Sequence, residues 1–264
     1  MNMKVRNFGK WLLLCLSAVI ARVSFLSEKP GVLMYHSFDT AGWRFGEDPE
    51  VFKKQLQHLL KTKTIVPFSD IVEYAQGNKT INENSVAITV DDGYEDTYHV
   101  LFPLAKQYSV PFTIFLTSDL RPRDFFGNIA RPTIGQLSEM AASGLVSIQT
   151  HGHTHEKFPV IANSQNLIKE EVEECESVIK TITGGDKPQY AAYPAGVYDQ
   201  TAIDMLKKRG YLAACSTHSG FVEVGDDLFR LNRIEVGRRI PFSLFKLRLT
   251  PALTVYNKLI RVFK

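Results

Sequence analysis

Val86-Ala87-Ile88-Thr89-Val90-Asp91-Asp92-Gly93-Tyr94 is the stretch whose reading decides the fold. Val86 to Val90 is a run of β-favouring, mostly apolar residues. That composition suits a strand covered on both faces, as in a parallel sheet. Two charges cannot continue into such a core, so Asp91 and Asp92 stop at its rim. Paired carboxylates at the carboxyl end of a central strand are candidates for metal binding or acid/base chemistry, because α/β sheets and barrels place their sites there. Asp-Gly is also a common turn pair, and the stretch alone leaves both readings open.

Outward from this strand, the same alternation repeats. Val32 to His36, Val110 to Leu116, Val146 to Thr150, Tyr190 to Tyr193, Leu212 to Thr217 and Leu231 to Val236 read as strands, with Ile65 to Phe68 as a short one. Between them lie helical patterns. Asp48 caps a helix from Pro49 to Leu60, and Asp70 opens one through Tyr74. A helix around Asp96 to Gln107 carries Pro103 as a kink or restart. Thr133 to Gln136 resembles a capping box for a helix to Ser143, and Asp199 caps one to Arg209. In Ser164 to Thr183, the stripe Ile168, Val172, Cys175, Ile179, Ile182 faces the core, and the run Glu170, Glu171, Glu173, Glu174, Glu176 is expected on a solvated face. Thr117 to Arg131 is a long irregular loop, a length that usually carries function. Alternating short strands and helices predict a parallel α/β sheet or barrel in one domain, residues 30–236.

The chain has 264 residues, 44% of them hydrophobic and 22% charged, an ordinary globular composition. Its net charge of +3 hides an asymmetry. Residues 1–29 carry +4 and residues 237–264 carry +7, which leaves −8 for the body. An acidic body without a basic stripe argues against nucleic acid as a partner, and basic ends suit an anionic membrane surface. Residues 1–29 hold a short apolar run, Trp11 to Ala21, behind Lys4, Arg6 and Lys10. It reads as an uncleaved signal or membrane anchor, with a cleaved signal and a surface-lying helix as alternatives. Residues 237–264 interleave apolar and basic residues, which fits either an interfacial amphipathic segment or a terminal helix packed on the domain. Cys15, Cys175 and Cys215 show no metal spacing, and the last two read as buried small hydrophobes.

Several strand ends carry complementary chemistry. One ends in Asp91-Asp92, another runs into His151-Gly152-His153-Thr154-His155, and a third into Pro194-Ala195-Gly196. In a parallel barrel these ends share one face. Two imidazoles and a carboxylate form a common divalent-metal set.

These residues resemble the polysaccharide deacetylases, carbohydrate esterase family 4. Thr89 to Tyr94 looks like that family's Thr-Phe-Asp-Asp-Gly motif, His151 to His155 like its His-x-x-x-His motif, and Ala192 to Gly196 like its third motif. The resemblance spans residues 30–236 and implies a distorted (β/α)7 barrel. It also implies Asp91 as general base and Asp92, His151 and His155 as ligands of a divalent metal, usually Zn2+, with Co2+ or Ni2+ as alternatives. His153 falls on a variable position. Ala192 stands where the family usually has an arginine, and Leu231-Asn232-Arg233 ends in arginine where it usually has a histidine acid. Leu33-Met34-Tyr35-His36 resembles the N-terminal motif of a permuted branch that includes poly-N-acetylglucosamine deacetylases. In that branch the histidine is the acid, so His36 is preferred here over His218.

The expected activity is metal-assisted removal of N-acetyl groups from amino sugars of an envelope or lipid-linked glycan. Tyr193, Pro194 and Ala195 would face the substrate, and the Ala195 N–H would hold the oxyanion. The alternatives are a membrane-associated glycan-binding protein with impaired catalysis, motivated by Ala192, and deacylation of another amide-bearing glycan.

Overall fold

The computed structural model describes residues 14, 16–20, 26–39, 42–121 and 130–262. Its strands are β1 (Gly31–Tyr35), β2 (Thr64–Ile65), β3 (Ser85–Asp92), β4 (Phe112–Leu116), β5 (Val146–Thr150), β6 (Tyr190–Ala192), β7 (Ala213–Ser219) and β8 (Leu231–Glu235). All pair in parallel. The order is β1-β8-β7-β6-β5-β4-β3, and β1 pairs with β3 as well as with β8. Seven strands therefore close on themselves, and β2 adds only to the start of β3. This is the expected distorted (β/α)7 barrel. The distortion is local: β5 and β6 share one register pair, Thr150 with Ala191, and β7 slips against β8 between Cys215 and Ser219.

β3 runs further than its apolar residues suggest. Asp91 and Asp92 pair with Phe115 and Leu116 of β4, and all eight residues of β3 are buried. The strand then breaks at two positive-φ residues, Asp92 (φ 67) and Gly93 (φ 69). A Cβ on Gly93 would lie 2.7 Å from Leu116 Cδ1 and 3.1 Å from Ile114 Cγ2, so a larger residue would have to displace buried side chains as well as hold a left-handed backbone.

The helices begin where their caps predict, with one exception. The Asp48 carboxylate accepts from the N–H groups of Glu50 and Val51, and Asp199 accepts from Ala202 N–H. Thr133 and Gln136 form the capping box in both directions. The Phe68–Ala75 helix starts after Pro67 and not at Asp70. Phe68, Ile71, Val72 and Ala75 form its buried face, and Asp70 sits in the first turn with Lys79 at 2.8 Å. Phe68 is thus helical, and the short strand is only Thr64–Ile65. The next helix opens with a wide π turn, Thr97–Leu101, and restarts as an α-helix at Phe102 with Pro103 in its first turn.

The 164–183 region is helical, with a π turn at Ile168–Glu173, and Gly184 (φ 79) ends it. Here the solvated acidic face is corrected: Glu171 and Glu176 are buried, at 5% and 7% exposure. Glu176 accepts from Arg209 at 2.9 Å and from Tyr211 OH at 3.1 Å, which explains its burial.

The C-terminal residues form helices Phe242–Arg248 and Ala252–Val262. Leu244, Phe245, Leu249, Leu253 and Tyr256 are buried in the core cluster that also holds Phe52, Leu56 and Leu59. Their apolar faces are committed to the domain, and Arg239, Lys246 and Lys258 stay exposed. Of the N-terminal apolar run, residues 16–20 are helical, with Leu14 and Ser17 buried and Leu16, Val19 and Ile20 exposed. The rest of that run, Cys15 included, and residues 122–129 of the long loop lie outside the described residues. Among the described residues no helix is long and apolar enough to cross a membrane. Cys175 and Cys215 are buried free thiols.

Candidate active site

The barrel brings the strand ends to one cavity of about 480 Å3, lined by His36, Asp91, Asp92, His151, His155, Tyr193 and Ala195 among others. Asp92 Oδ1 lies 3.9 Å from His151 Nε2 and 3.8 Å from His155 Nε2. The three donor atoms are all within 4.8 Å of one another. His151 Nδ1 is 2.8 Å from Ala192 O. That bond makes Nδ1 the protonated nitrogen and leaves the Nε2 lone pair facing Asp92. Two imidazole lone pairs and a carboxylate oxygen, with no protein cation between them among the described residues, fit a divalent metal ion.

Backbone conformation aims these groups. Four non-glycine residues have positive φ among the described residues: Asp92, Ser109, His155 and Ala195. Ser109 ends a helix, and the other three border the cavity. Left-handed backbone at non-glycine residues costs energy and persists where the surroundings enforce it.

Asp91 is handled differently. Arg233, at 1% exposure, forks onto it from β8, with Nη1 to Oδ1 at 2.6 Å and Nη2 to Oδ2 at 2.7 Å. Arg233 Nε donates to Ser216 O at 3.0 Å. A guanidinium expected near residue 192 therefore arrives from another strand. The sequence carried a weak signal for this: Arg233 falls in a strand among Leu231, Ile234 and Val236, and an arginine buried with them needs an anion. Burial by itself would raise the Asp91 pKa, but the charge of Arg233, then His151 and the Arg233 hydrogen bonds, hold it at about 2. Asp91 is thus ionised at neutral pH.

His36 follows β1 directly. Its ring stacks on Phe45 at 5.0 Å and meets Trp43 edge-on at 5.8 Å. Its Nδ1 is enclosed without a hydrogen-bond partner. Burial lowers its pKa, opposed by the charges of Asp91 and Asp92. His155 is lowered to about 4, by burial and then by His151, so its ring is neutral and available as a donor.

The third motif divides. Ala195 (φ 55) lies at the cavity with its N–H outside any backbone hydrogen bond among the described residues, because Gly196 N and Val197 N turn back onto Tyr193 O and Pro194 O. Tyr193 also borders the cavity, is 0% exposed, and its hydroxyl donates to Phe229 O at 2.9 Å. Pro194 is buried. His218 is exposed and pairs with Tyr198. His153 bonds Ser118 outside the donor set. Sequence reasoning did not single out the Trp43-Phe45 wall, Arg131, whose Nη1 donates to Asp92 O at 2.8 Å, or Thr117, whose hydroxyl donates to Asp92 Oδ1 at 3.3 Å.

The polysaccharide deacetylase family profile matches residues 78–214, just over half of the chain. YxkH of Bacillus subtilis (strain 168), which carries the same family name, is 26% identical over 228 residues, covering 83% of this chain and 76% of its own. The poly-beta-1,6-N-acetyl-D-glucosamine N-deacetylase of Staphylococcus epidermidis is 26% identical over 203 residues, covering 74% of this chain and 69% of its own. The solved structure of IcaB from Ammonifex degensii superposes with a TM-score of 0.73 at 22% identity, covering 85% of this chain and 97% of that one. The chain belongs to the polysaccharide deacetylase family. It is an enzyme of that class, a hydrolase of glycan amide bonds.

Proposed function

We propose that the protein removes N-acetyl groups from an N-acetylglucosamine polymer of the cell envelope in a metal-dependent reaction. The observation that carries this reading is the convergence of Asp92, His151 and His155 beside an ionised Asp91, with His36 lining the same cavity. The metal would be held by Asp92, His151 and His155. Bound there, a divalent ion such as Zn2+, Co2+ or Ni2+ supplies Lewis acidity toward water and the acetamide carbonyl.

The chain's own residues do the rest. Asp91, kept ionised by Arg233, takes a proton from the water that attacks the acetamide carbon. The Ala195 N–H donates to the carbonyl oxygen as negative charge builds on it. His36 in its protonated form, which Asp91 and Asp92 favour against the lowering effect of burial, gives its proton to the sugar nitrogen as the C–N bond breaks. The products are acetate and a free glucosamine amine. Trp43 and Phe45 wall the acid side by packing against the His36 ring.

The glycan-binding alternative drew its support from the small residue at position 192, and Arg233 supplies the missing guanidinium. The test is acetate release from N-acetylglucosamine oligomers by protein dialysed against a chelator, then given Zn2+, Co2+ or Ni2+. Release should fall on dialysis and return with metal; no release with any of the three would overturn the reading. The same reading places the domain at a membrane surface, supported by exposed Arg239, Lys246 and Lys258 and the apolar Leu16, Val19 and Ile20. Sedimentation with anionic against neutral vesicles checks this, and equal binding to both would overturn it.

A further inference from the structure

Glu171 is a buried carboxylate outside the donor set and outside the reaction described above. It sits on the wide turn Ile168–Glu173 and is 5% exposed. Both hydrogen bonds it accepts come from Thr154: Oε2 from the Thr154 N–H at 2.7 Å, and Oε1 from the Thr154 hydroxyl at close range. Among the described residues no lysine or arginine forms an ion pair with it. A buried carboxylate without a cation is costly, and the surrounding sequence would supply an apolar residue on a helix face if packing were its only task. A π turn inserts one residue into an α-helix, re-aims the side chains around it, and recurs at functional sites.

What Glu171 grips is the residue before His155. His151 is secured through its own ring, by Ala192 O, and its side chain is 3% exposed. The His155 side chain is 19% exposed, and its backbone is left-handed at φ 67. The loop between them turns at Gly152 (φ 83), where an added Cβ would lie 3.8 Å from Glu171 Oε2. Fixing both the amide and the hydroxyl of Thr154 holds the 153–154 peptide plane and the Thr154 side chain, and so anchors the residue from which His155 departs. His155 Nε2 lies 3.8 Å from Asp92 Oδ1.

We infer that Glu171 is a positioning residue that pre-organises the metal set by clamping Thr154 and holding His155 in its strained conformation. This rests on the reading of Asp92, His151 and His155 as metal holders. Partners of this kind, one layer behind a ligand, typically change metal affinity by about 10–100-fold when lost.

The experiment compares Glu171→Leu and Glu171→Gln with the full-length wild type. The readouts are Zn2+ affinity by chelator competition and the visible absorption of the Co2+-loaded protein. Glu171→Leu, close in volume and without acceptors, should bind Zn2+ about 10–100-fold more weakly and shift the Co2+ bands. Glu171→Gln should stay within a few-fold of wild type, because its carbonyl accepts the Thr154 N–H and its NH2 donates to the Thr154 hydroxyl. If Glu171→Leu does not fold, Thr154→Val removes one of the two bonds and should weaken Zn2+ binding by a smaller factor with the same direction of band shift. Wild-type affinity and wild-type bands in the folded leucine or valine variant would overturn the inference. A wild-type protein that takes up neither ion would instead overturn the metal reading beneath it.

Discussion

Asp91 and Asp92 are neighbours in the chain and equally buried, yet the two halves of the site treat them in opposite ways. At Asp91 the chain supplies the counter-charge itself, a forked arginine with both bonds under 2.8 Å. At Asp92 it supplies two imidazole nitrogens and the Thr117 hydroxyl near the carboxylate, and among the described residues its one guanidinium, Arg131, bonds the backbone oxygen and not the carboxylate. On the proposed function, the first half would hold a fixed charge that takes a proton and the second a donor set that could hold a cation. The barrel achieves this because adjacent residues at a breaking strand end point to different neighbours, Asp91 toward β8 and Asp92 toward the loop after β5.

The largest expected effect comes from Asp91→Asn. Turnover should fall by about 10²–10⁴-fold, the usual worth of a general base, while Zn2+ still binds. Because this change leaves the Arg233 charge unpaired, activity is counted per folded, metal-loaded molecule; retained turnover there would break the assignment of the two halves. Arg233→Met is next. Stripping one partner from a buried ion pair costs about 3–5 kcal/mol, read as a lower midpoint in urea unfolding. Combining Arg233→Met with Asp91→Asn should recover part of that stability and none of the activity.

pH separates the halves further. In metal-free protein the His155 pKa is about 4 in the fold against 6.5 unfolded, and Asp91 is about 2 against 3.8. The unfolded chain therefore binds more protons in both windows, and stability falls as pH drops. The histidine side should cost on the order of 3 kcal/mol between about pH 6.5 and 4, and the Asp91 side on the order of 2 kcal/mol below that, toward pH 2. Urea midpoints across pH should show the upper step shrink in His155→Ala, with the lowered His36 still contributing, and the lower one shrink in Asp91→Asn. The smallest effect is at Thr89, whose hydroxyl donates to Leu33 O at 2.7 Å and lies 3.4 Å from Arg233 Nη1. Thr89→Val should cost about 1 kcal/mol of stability, with turnover nearly unchanged.

Much of this site was legible residue by residue. Asp91, Asp92, His151 and His155 stand at strand ends because charge and imidazole cannot follow apolar runs into a barrel core, and spacing alone marks those ends. Helix starts were equally legible at Asp48, Thr133 and Asp199, where a cap satisfies local N–H groups. The misreadings share a cause. Asp70 looked like a cap because propensity is local, but the buried face of its helix set the start at Phe68. Glu171 and Glu176 looked solvated because a run of five glutamates on one helix is usually outside, and nothing near them in sequence names Thr154 or Arg209 as partners.

The sequence by itself determined the alternation of strand and helix, a parallel sheet or barrel, and which residue types end its strands, because burial and periodicity are properties of short segments. Only the tertiary structure decided what those ends do to one another. Closing β1 and β8 onto β3 brings Arg233 to Asp91 across 142 positions of chain, and the turn after β5 lays His155 against Asp92. Electrostatics depends on distance through space, and only the closed ring sets that distance.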